Sequence, residues 1–367
     1  MNSCIQRILA SVVLLSLAYA TTAQPVIATT MPDGTPNKAA WMAQGSYGVM
    51  THYLIRPEGA TPEEKAADLN RTVDNFDLDS FMAQFDATGA DWLIFTLMQG
   101  TGFLSSKSEF IDALQPGLTP NRDLIPEIGK RLHERGKRLI VYMPHGMTGA
   151  DPMVKQLLGL GTEGYAERHL EFLRHYSLKG GEFIDGWWFD SARPQENDIW
   201  QGEIDACRAG NLDAVVSFSG AEFCTRSGDV APRCPIEDYH AGEIHLLEDS
   251  KIRTDFVYPP GEGNILVDKD GKLRKRDQEA LFYMPDGQFI DNVQWHGLLP
   301  IDLTFNPAIP NQYCHYTDKE LFKFVEDVKA VGGALTINVP IENVNGHLPE
   351  DTLSQLTRLG HHLKGEK

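Results

Sequence analysis

Six short apolar runs, rich in β-branched and aromatic residues, recur along the chain with amphipathic stretches between them: Tyr47–Thr51, Asp91–Leu97, Arg138–Met143, Gly186–Phe189, Ala214–Phe218 and Ala334–Val339. Continuous apolar runs suit strands covered on both faces, since a strand with one wet face alternates polar with apolar residues. The intervening stretches read as helices. Asp79–Thr88 places Phe81, Met82 and Phe85 on one side and stops at Gly89. Leu124–Arg135 does the same with Leu124, Ile125, Ile128 and Leu132 and stops at Gly136, a residue suited to end a helix. Gly164–Tyr176, Lys319–Ala330 and Pro349–Leu363 follow the same pattern. Strand–helix alternation implies a parallel sheet joined by right-handed crossovers.

Eight such units close into an α/β architecture of the (β/α)8, TIM-like barrel type, and 367 residues suffice for one barrel of about 250 residues or more, or for two smaller domains. The expectation is a single domain over residues 24–367. Ile244–Asn311 shows no clear periodicity, so an open doubly wound sheet is the alternative. No Gly-rich phosphate fingerprint follows the first run, which weakens a dinucleotide-binding fold.

The first 23 residues carry one positive charge, Arg7, then the apolar run Ile8–Ala20, then small residues with Ala18-Tyr19-Ala20 and Thr21-Thr22-Ala23 as cleavage sites. This is the pattern of a secretory signal peptide, too short to cross a bilayer comfortably. It predicts a secreted or periplasmic protein without a membrane span. Past that segment stand Cys207, Cys224, Cys234 and Cys314. Cys224 and Cys234 are close enough in sequence to be a disulfide pair; free buried thiols are the alternative. Lys and Arg number 33 against 51 Asp and Glu, a net charge of -18. That excess of acid argues against nucleic-acid and anionic-membrane partners, because phosphate binding needs positive charge.

In a parallel sheet the C-terminal strand ends share one face, and that is where such enzymes keep their chemistry. Asp185–Pro194 reads Asp-Gly-Trp-Trp-Phe-Asp-Ser-Ala-Arg-Pro, so Asp190 follows directly on an aromatic strand. It is a candidate catalytic acid, or a cap on the next loop. The other strand ends bring His52, Gln99 and Thr101, Tyr142 and His145, and Ser217 and Ser219 to the same face; Asp238, Glu243, Trp295 and His296 follow. Carboxylates, imidazoles and aromatics without a nucleophilic Ser or Cys setting suit sugar chemistry, where two carboxyl groups flank the scissile bond and aromatic faces hold the ring. Each has a plainer reading: His52 as a core histidine, Tyr142 as barrel packing, Glu243 in a surface ion pair. No His-Glu-x-x-His occurs, Thr51-His52-Tyr53 supplies no His-x-His, and His361-His362 lies near the end of the last helix facing solvent. Neither a metal nor a cofactor is expected.

The order of these pieces resembles the α-L-fucosidase family of retaining glycoside hydrolases. Trp41 through Tyr53 resembles that family's first strand, with its Phe-Gly-x-Phe-x-His-Trp pattern; Phe76-Asp77 through Phe103 resembles the next unit. Asn121-Arg122-Asp123-Leu124, Gly136 and Val141-Tyr142 resemble its Arg-Asp-Leu helix and third strand. Trp188-Phe189-Asp190 resembles its Trp-x-Asp nucleophile segment, and Gly332 through Pro340, then Asn345-Gly346, its last strand and turn. The resemblance runs from Trp41 to Leu363. It implies a (β/α)8 catalytic barrel without the C-terminal β-sandwich that many members add. It implies Asp190 as nucleophile, His52 as a sugar-binding histidine and Tyr142 as a pocket tyrosine. Glu243, closing Asp238-Tyr239-x-x-x-Glu243, falls on the acid/base segment of many members, and Glu222 is the second candidate.

One stretch departs from the pattern. Where the family usually reads Thr-x-Lys-His-His-Asp-Gly-Phe, this chain reads Thr96-Leu97-Met98-Gln99-Gly100-Thr101-Gly102-Phe103, and both paired histidines are gone. Either Gln99, Thr101 and His145 rebuild the pocket, or the sugar differs. The expectation is a retaining glycosidase that removes a terminal sugar from an oligosaccharide or polysaccharide. Asp190 and Glu243 would be catalytic, and His52, Gln99, Tyr142, His145, Trp188 and Trp295 would bind the sugar. The alternatives are a glycosidase of the same fold on a deoxy, pentose or modified sugar, and a non-catalytic carbohydrate-binding barrel.

Overall fold

The computed structural model describes residues 25–99, 101–145, 163–192, 196–220, 232–243, 285–301 and 316–366. A short helix, α1 (Ala40–Gln44), precedes the first strand, β1 (Gly48–Thr51). Then come α2 (Pro62–Asp74), α3 (Leu78–Thr88), β2 (Trp92–Thr96), α4 (Glu109–Leu114), α5 (Leu124–His133) and β3 (Arg138–Pro144). They are followed by α6 (Tyr165–Gly180), β4 (Gly186–Asp190), α7 (Asn197–Cys207) and β5 (Val215–Phe218). A two-stranded ribbon of β6 (Phe289–Ile290) and β7 (Val293–Gln294) leads into β8 (His296–Pro300), then α8 (Asp318–Ala330), β9 (Ala334–Val339) and α9 (Glu350–Leu363).

Seven strands pair in the order β5-β4-β3-β2-β1-β9-β8, and every pair in that sheet is parallel. All six runs read from sequence are strands of this sheet, and β9 has the bounds expected of it. Register sets the layers of the interior. Thr96 pairs with Tyr142, Tyr142 with Trp188 and Trp188 with Ser217, so these four lie level, one step below Asp190.

The alternation along each strand divides two cores. Trp187, Phe189, Val216, Phe218 and Leu299 pack outward against the helices in the larger one. Met50, Trp92, Ile94, Ile140, Tyr142, Trp188, Val215, Leu298 and Ala334 fill the concave side of the sheet in the smaller one. Each such side chain contributes roughly 1.5–3 kcal/mol when fully buried. Low on the concave side, Trp92 Nε1 donates to Thr336 Oγ1 (2.9 Å), which pairs with His296 Nε2 (2.8 Å), whose Nδ1 pairs with the carbonyl of His240 (2.9 Å). Burial holds the His296 imidazole down to about 4, so it serves this chain of bonds in its neutral form.

Local signals account for the helix ends. Gly89 and Gly136 follow α3 and α5 with φ of 75° and 67°, the left-handed conformation that glycine adopts without a Cβ penalty. Thr61 and Glu64 form a capping box on α2, as do Thr317 and Glu320 on α8.

Between β5 and β8 the sheet has no regular strand among the described residues. The segment Glu237–Glu243 occupies that place. Asp238 N donates to Val216 O of β5 (3.0 Å). Two carboxylates accept the next β5 amides: Asp238 Oδ2 from Val216 N (2.7 Å) and Glu237 Oε2 from Phe218 N (2.8 Å). On its other side the segment makes parallel bridges, Tyr239 to Gln294 and Glu243 to Leu298. Side-chain oxygens thus satisfy buried amides that a neighbouring strand would otherwise take.

Cys207 and Cys234 are buried free thiols, so the Cys224–Cys234 bridge is not formed; Cys224 and Cys314 lie outside the described residues. His361 and His362 are exposed, as expected, and His362 pairs with Glu326. No helix among the described residues is long and apolar enough to cross a membrane.

Candidate active site

Asp190 is the last residue of β4, and its position follows from strand period: Trp188 and Asp190 face inward while Trp187 and Phe189 face the helices. Tyr142, on the neighbouring strand, donates its hydroxyl to Asp190 Oδ2 (2.7 Å). Burial pushes the Tyr142 phenol well above its ordinary range, with the Asp190 charge adding to it, so it remains a donor. Its ring stacks on Trp188 (centroids 5.2 Å apart, planes at 16°) and meets His52 edge-on at 5.0 Å. Such aromatic pairs contribute about 0.5–1.5 kcal/mol each beyond area burial and lock the donor in place. Just after Asp190 the chain turns sharply. Ser191 has a φ of 56°, rare outside glycine, and Ala192 N is tied to Ser219 O at 2.6 Å.

Glu243 reaches the same site from Glu237–Glu243. Gly242, with φ of 66°, sets its direction; a Cβ there would come within 1.9 Å of His296 O. Ser219 Oγ donates to Glu243 Oε1 (3.2 Å). Burial raises the Glu243 carboxyl to about 8, and the negative charge of nearby Asp190 adds to the rise, against the small lowering by Ser219. Glu243 therefore carries its proton at neutral pH beside a second carboxyl group, the division of roles that acid–base chemistry needs.

His52 sits just past β1, its Nδ1 paired with Asn338 Oδ1 of β9 (3.2 Å). Burial holds it down to about 4, more than the Asp190 charge and Asn338 raise it, so the imidazole is neutral at neutral pH. Asn338 was not singled out in the sequence, although a lone amide within the apolar run Ala334–Val339 marks a polar atom that must find a buried partner.

Asp190, Glu243, His52, Tyr142 and Trp188 thus converge. Trp188 lies one layer below the acids, one face covered by Tyr142, and its Nε1 has no partner among the described residues. Gln99 follows β2, its Oε1 likewise buried and unpartnered among the described residues, while Thr101 is occupied with Ile55 O. Two expected pocket residues are placed elsewhere. His145 points to the helical side, where Nε2 lies 3.0 Å from Glu203 Oε1 amid Trp200, Phe189 and Phe218. Trp295 lies in the outer core against Gly333, whose missing side chain makes room for its indole. Glu222 lies outside the described residues. No cluster of three His, Cys, Asp or Glu suited to a metal occurs among the described residues.

Solved structures share this fold. The endo-fucoidan hydrolase MfFcnA9 of glycoside hydrolase family 107 superposes with a TM-score of 0.60 at 19% identity, over 89% of this chain and 64% of its own. A second member, MfFcnA4, gives 0.59 at 18% identity over 89% and 53%. The α-L-fucosidase AlfC from Lactobacillus casei, in complex with its α-L-fucose product, gives 0.56 at 14% identity over 90% and 98%. The chain therefore spans 53–64% of the length of these two endo-fucoidan hydrolases and nearly all of AlfC. At these identities the likeness is one of fold. No protein-family model and no curated protein matches the sequence.

Proposed function

We propose that this chain is a retaining glycoside hydrolase acting on fucose-type sugars, built as a single closed (β/α)8 barrel in which Glu237–Glu243 stands as the sixth strand. The observation that carries this reading is the pairing of Asp190 with a Glu243 whose carboxyl is raised to about 8 by burial and by the Asp190 charge. One carboxyl attacks while the other keeps a proton to give. The fold shared with endo-fucoidan hydrolases and an α-L-fucosidase supports the choice of sugar.

In the proposed mechanism Asp190, oriented by Tyr142, attacks the anomeric carbon. Glu243 gives its proton to the departing glycosidic oxygen, then takes one from water as that water releases the sugar from Asp190. A retaining reaction calls for a carboxyl separation of about 5–5.5 Å. His52, neutral and oriented by Asn338, would meet a ring hydroxyl, as would Gln99. The substrate would be an oligosaccharide or polysaccharide met outside the cytoplasm after removal of residues 1–23.

Replacing Asp190 by Asn should lower turnover of 4-nitrophenyl α-L-fucoside by about 1,000-fold or more, the loss expected when a covalent step is removed. Survival of activity within a few fold would sink the assignment. Gln99, standing where the fucosidase pattern has paired histidines, favours a second reading: the same reaction on a different deoxy, pentose or modified sugar. A panel of 4-nitrophenyl glycosides separates the two, because turnover of the fucoside alone removes the second. Sugar binding without turnover of any glycoside would instead mark a non-catalytic barrel.

A further inference from the structure

Glu243 is not carried by a regular strand. Its arm, Glu237–Glu243, meets β5 through Glu237, whose Oε2 accepts Phe218 N at 2.8 Å, and through Asp238, which makes three contacts of its own. The backbone of Asp238 donates to Val216 O, its Oδ2 accepts Val216 N, and both of its oxygens lie 2.7 Å from Arg208 Nη2. Arg208 is itself fixed, its Nε donating to Ala214 O at 3.0 Å, immediately before β5. Past Asp238 the arm follows the ribbon and β8: His240 N donates to Gln294 O (3.1 Å) and Leu298 N to Gly242 O (2.8 Å). Gly242 is in close contact with the His296 carbonyl, so the arm has little room to shift toward β8. The lateral position of Glu243 between β5 and β8 is thus set at the β5 end by the Glu237 and Asp238 carboxylates and by the Arg208 guanidinium that clamps the second of them.

We infer that Asp238, clamped by Arg208, is a positioning residue that aims Glu243 at the departing oxygen. The inference rests on the reading of Glu243 as acid/base. Both partners of the clamp are largely buried, with side chains 19% and 10% exposed, so removing one leaves the other charge poorly solvated and loosens the arm beyond Glu237. Tyr239, the next residue, is anchored independently by its hydroxyl to Trp187 O (3.2 Å), so the barrel wall persists when the clamp is weakened.

The test compares two glycosides of the same sugar, one with a 4-nitrophenyl and one with a methyl leaving group. Nitrophenolate departs without protonation and methoxide does not, so a misaimed acid harms only the second. In Asp238→Asn, kcat/KM on the methyl glycoside should fall by roughly tenfold or more, part of the 100- to 10,000-fold that general acid catalysis supplies. On the 4-nitrophenyl glycoside it should stay within about twofold. Arg208→Ala should reproduce that split, and Arg208→Lys should recover part of it. An equal fall on both substrates, or no fall on either, overturns the inference. Glu243→Gln must show the same split in stronger form. If it does not, the acid/base reading fails; if it does while the clamp variants do not, only the role of Asp238 fails. Should Asp238→Asn not fold, judged by thermal melting, Arg208→Lys, which leaves Asp238 in place, decides the matter by the same ratio.

Discussion

The two acids of the site differ in surroundings more than in chemistry. Asp190 ends an aromatic strand and receives a phenol hydrogen bond from Tyr142, while Glu243 is half-buried and receives a hydroxyl hydrogen bond from Ser219. A carboxyl raised to about 8 keeps its proton until the pH approaches that value, so the proton that the proposed mechanism draws on is lost as pH rises through it. The pH dependence of kcat/KM should therefore show an alkaline limb near pH 8, and in Glu243→Gln that limb should vanish from the residual activity on an activated aryl glycoside. A limb unmoved by the substitution would assign it to another group. Asp190 was legible in the sequence because a strand end needs only local residues to be seen. His145 and Trp295 were misplaced for a reason also visible there. Side chains alternate along an extended chain, so His145, three residues past the inward-facing Tyr142, points the other way, as Trp295 does beside the inward-facing His296.

Among the elements, most of those with a local signature are legible in the sequence, and those defined by pairing are not. α3 and α5 have an apolar stripe and a terminal glycine, and both formed within two residues of expectation. α2 was passed over although Thr61-Pro62-Glu63-Glu64 is a helix start by capping box and N-terminal proline. β8, His-Gly-Leu-Leu-Pro, is a short run bracketed by residues that disfavour strands, and only its pairing with β9 makes it one. Close packing between elements also explains single glycines. At Gly48 in β1 a Cβ would lie 1.9 Å from Trp92 Nε1, in an indole held by Thr336 and by edge contact with Trp41. Gly48→Ala should destabilise the fold by about 1–3 kcal/mol or more, measured by urea denaturation. A change below about 0.5 kcal/mol, the range of a neutral surface substitution, would show that the indole moves aside freely.

On the scale of the whole molecule, a second buried acid acts on stability rather than on the proposed chemistry. Glu203 of α7 lies between His145 and His169, 3.0 and 3.5 Å away, in the layer joining the sheet to α6 and α7. Burial pushes its carboxyl up, but the hydrogen bonds and charges of the two histidines outweigh that and bring it down to about 2. A folded value below the ordinary 4.5 contributes stability above about pH 4.5 and loses it as pH falls toward 2. Glu203→Gln should flatten the dependence of unfolding free energy on pH across that window, measured by denaturant titration at several pH values. An unchanged slope would remove Glu203 from the acid sensitivity of the fold. The alternating apolar runs alone determined that the strands are parallel and buried on both faces, because strand period and burial are local properties of the chain. Tertiary structure alone decided that Asp190 and Glu243, far apart in sequence, share one site and that Glu243 holds the proton. It also decided that two carboxylates replace a strand beside β5. Desolvation, electrostatic fields and amide pairing depend on distance through space, which no local pattern in the sequence encodes.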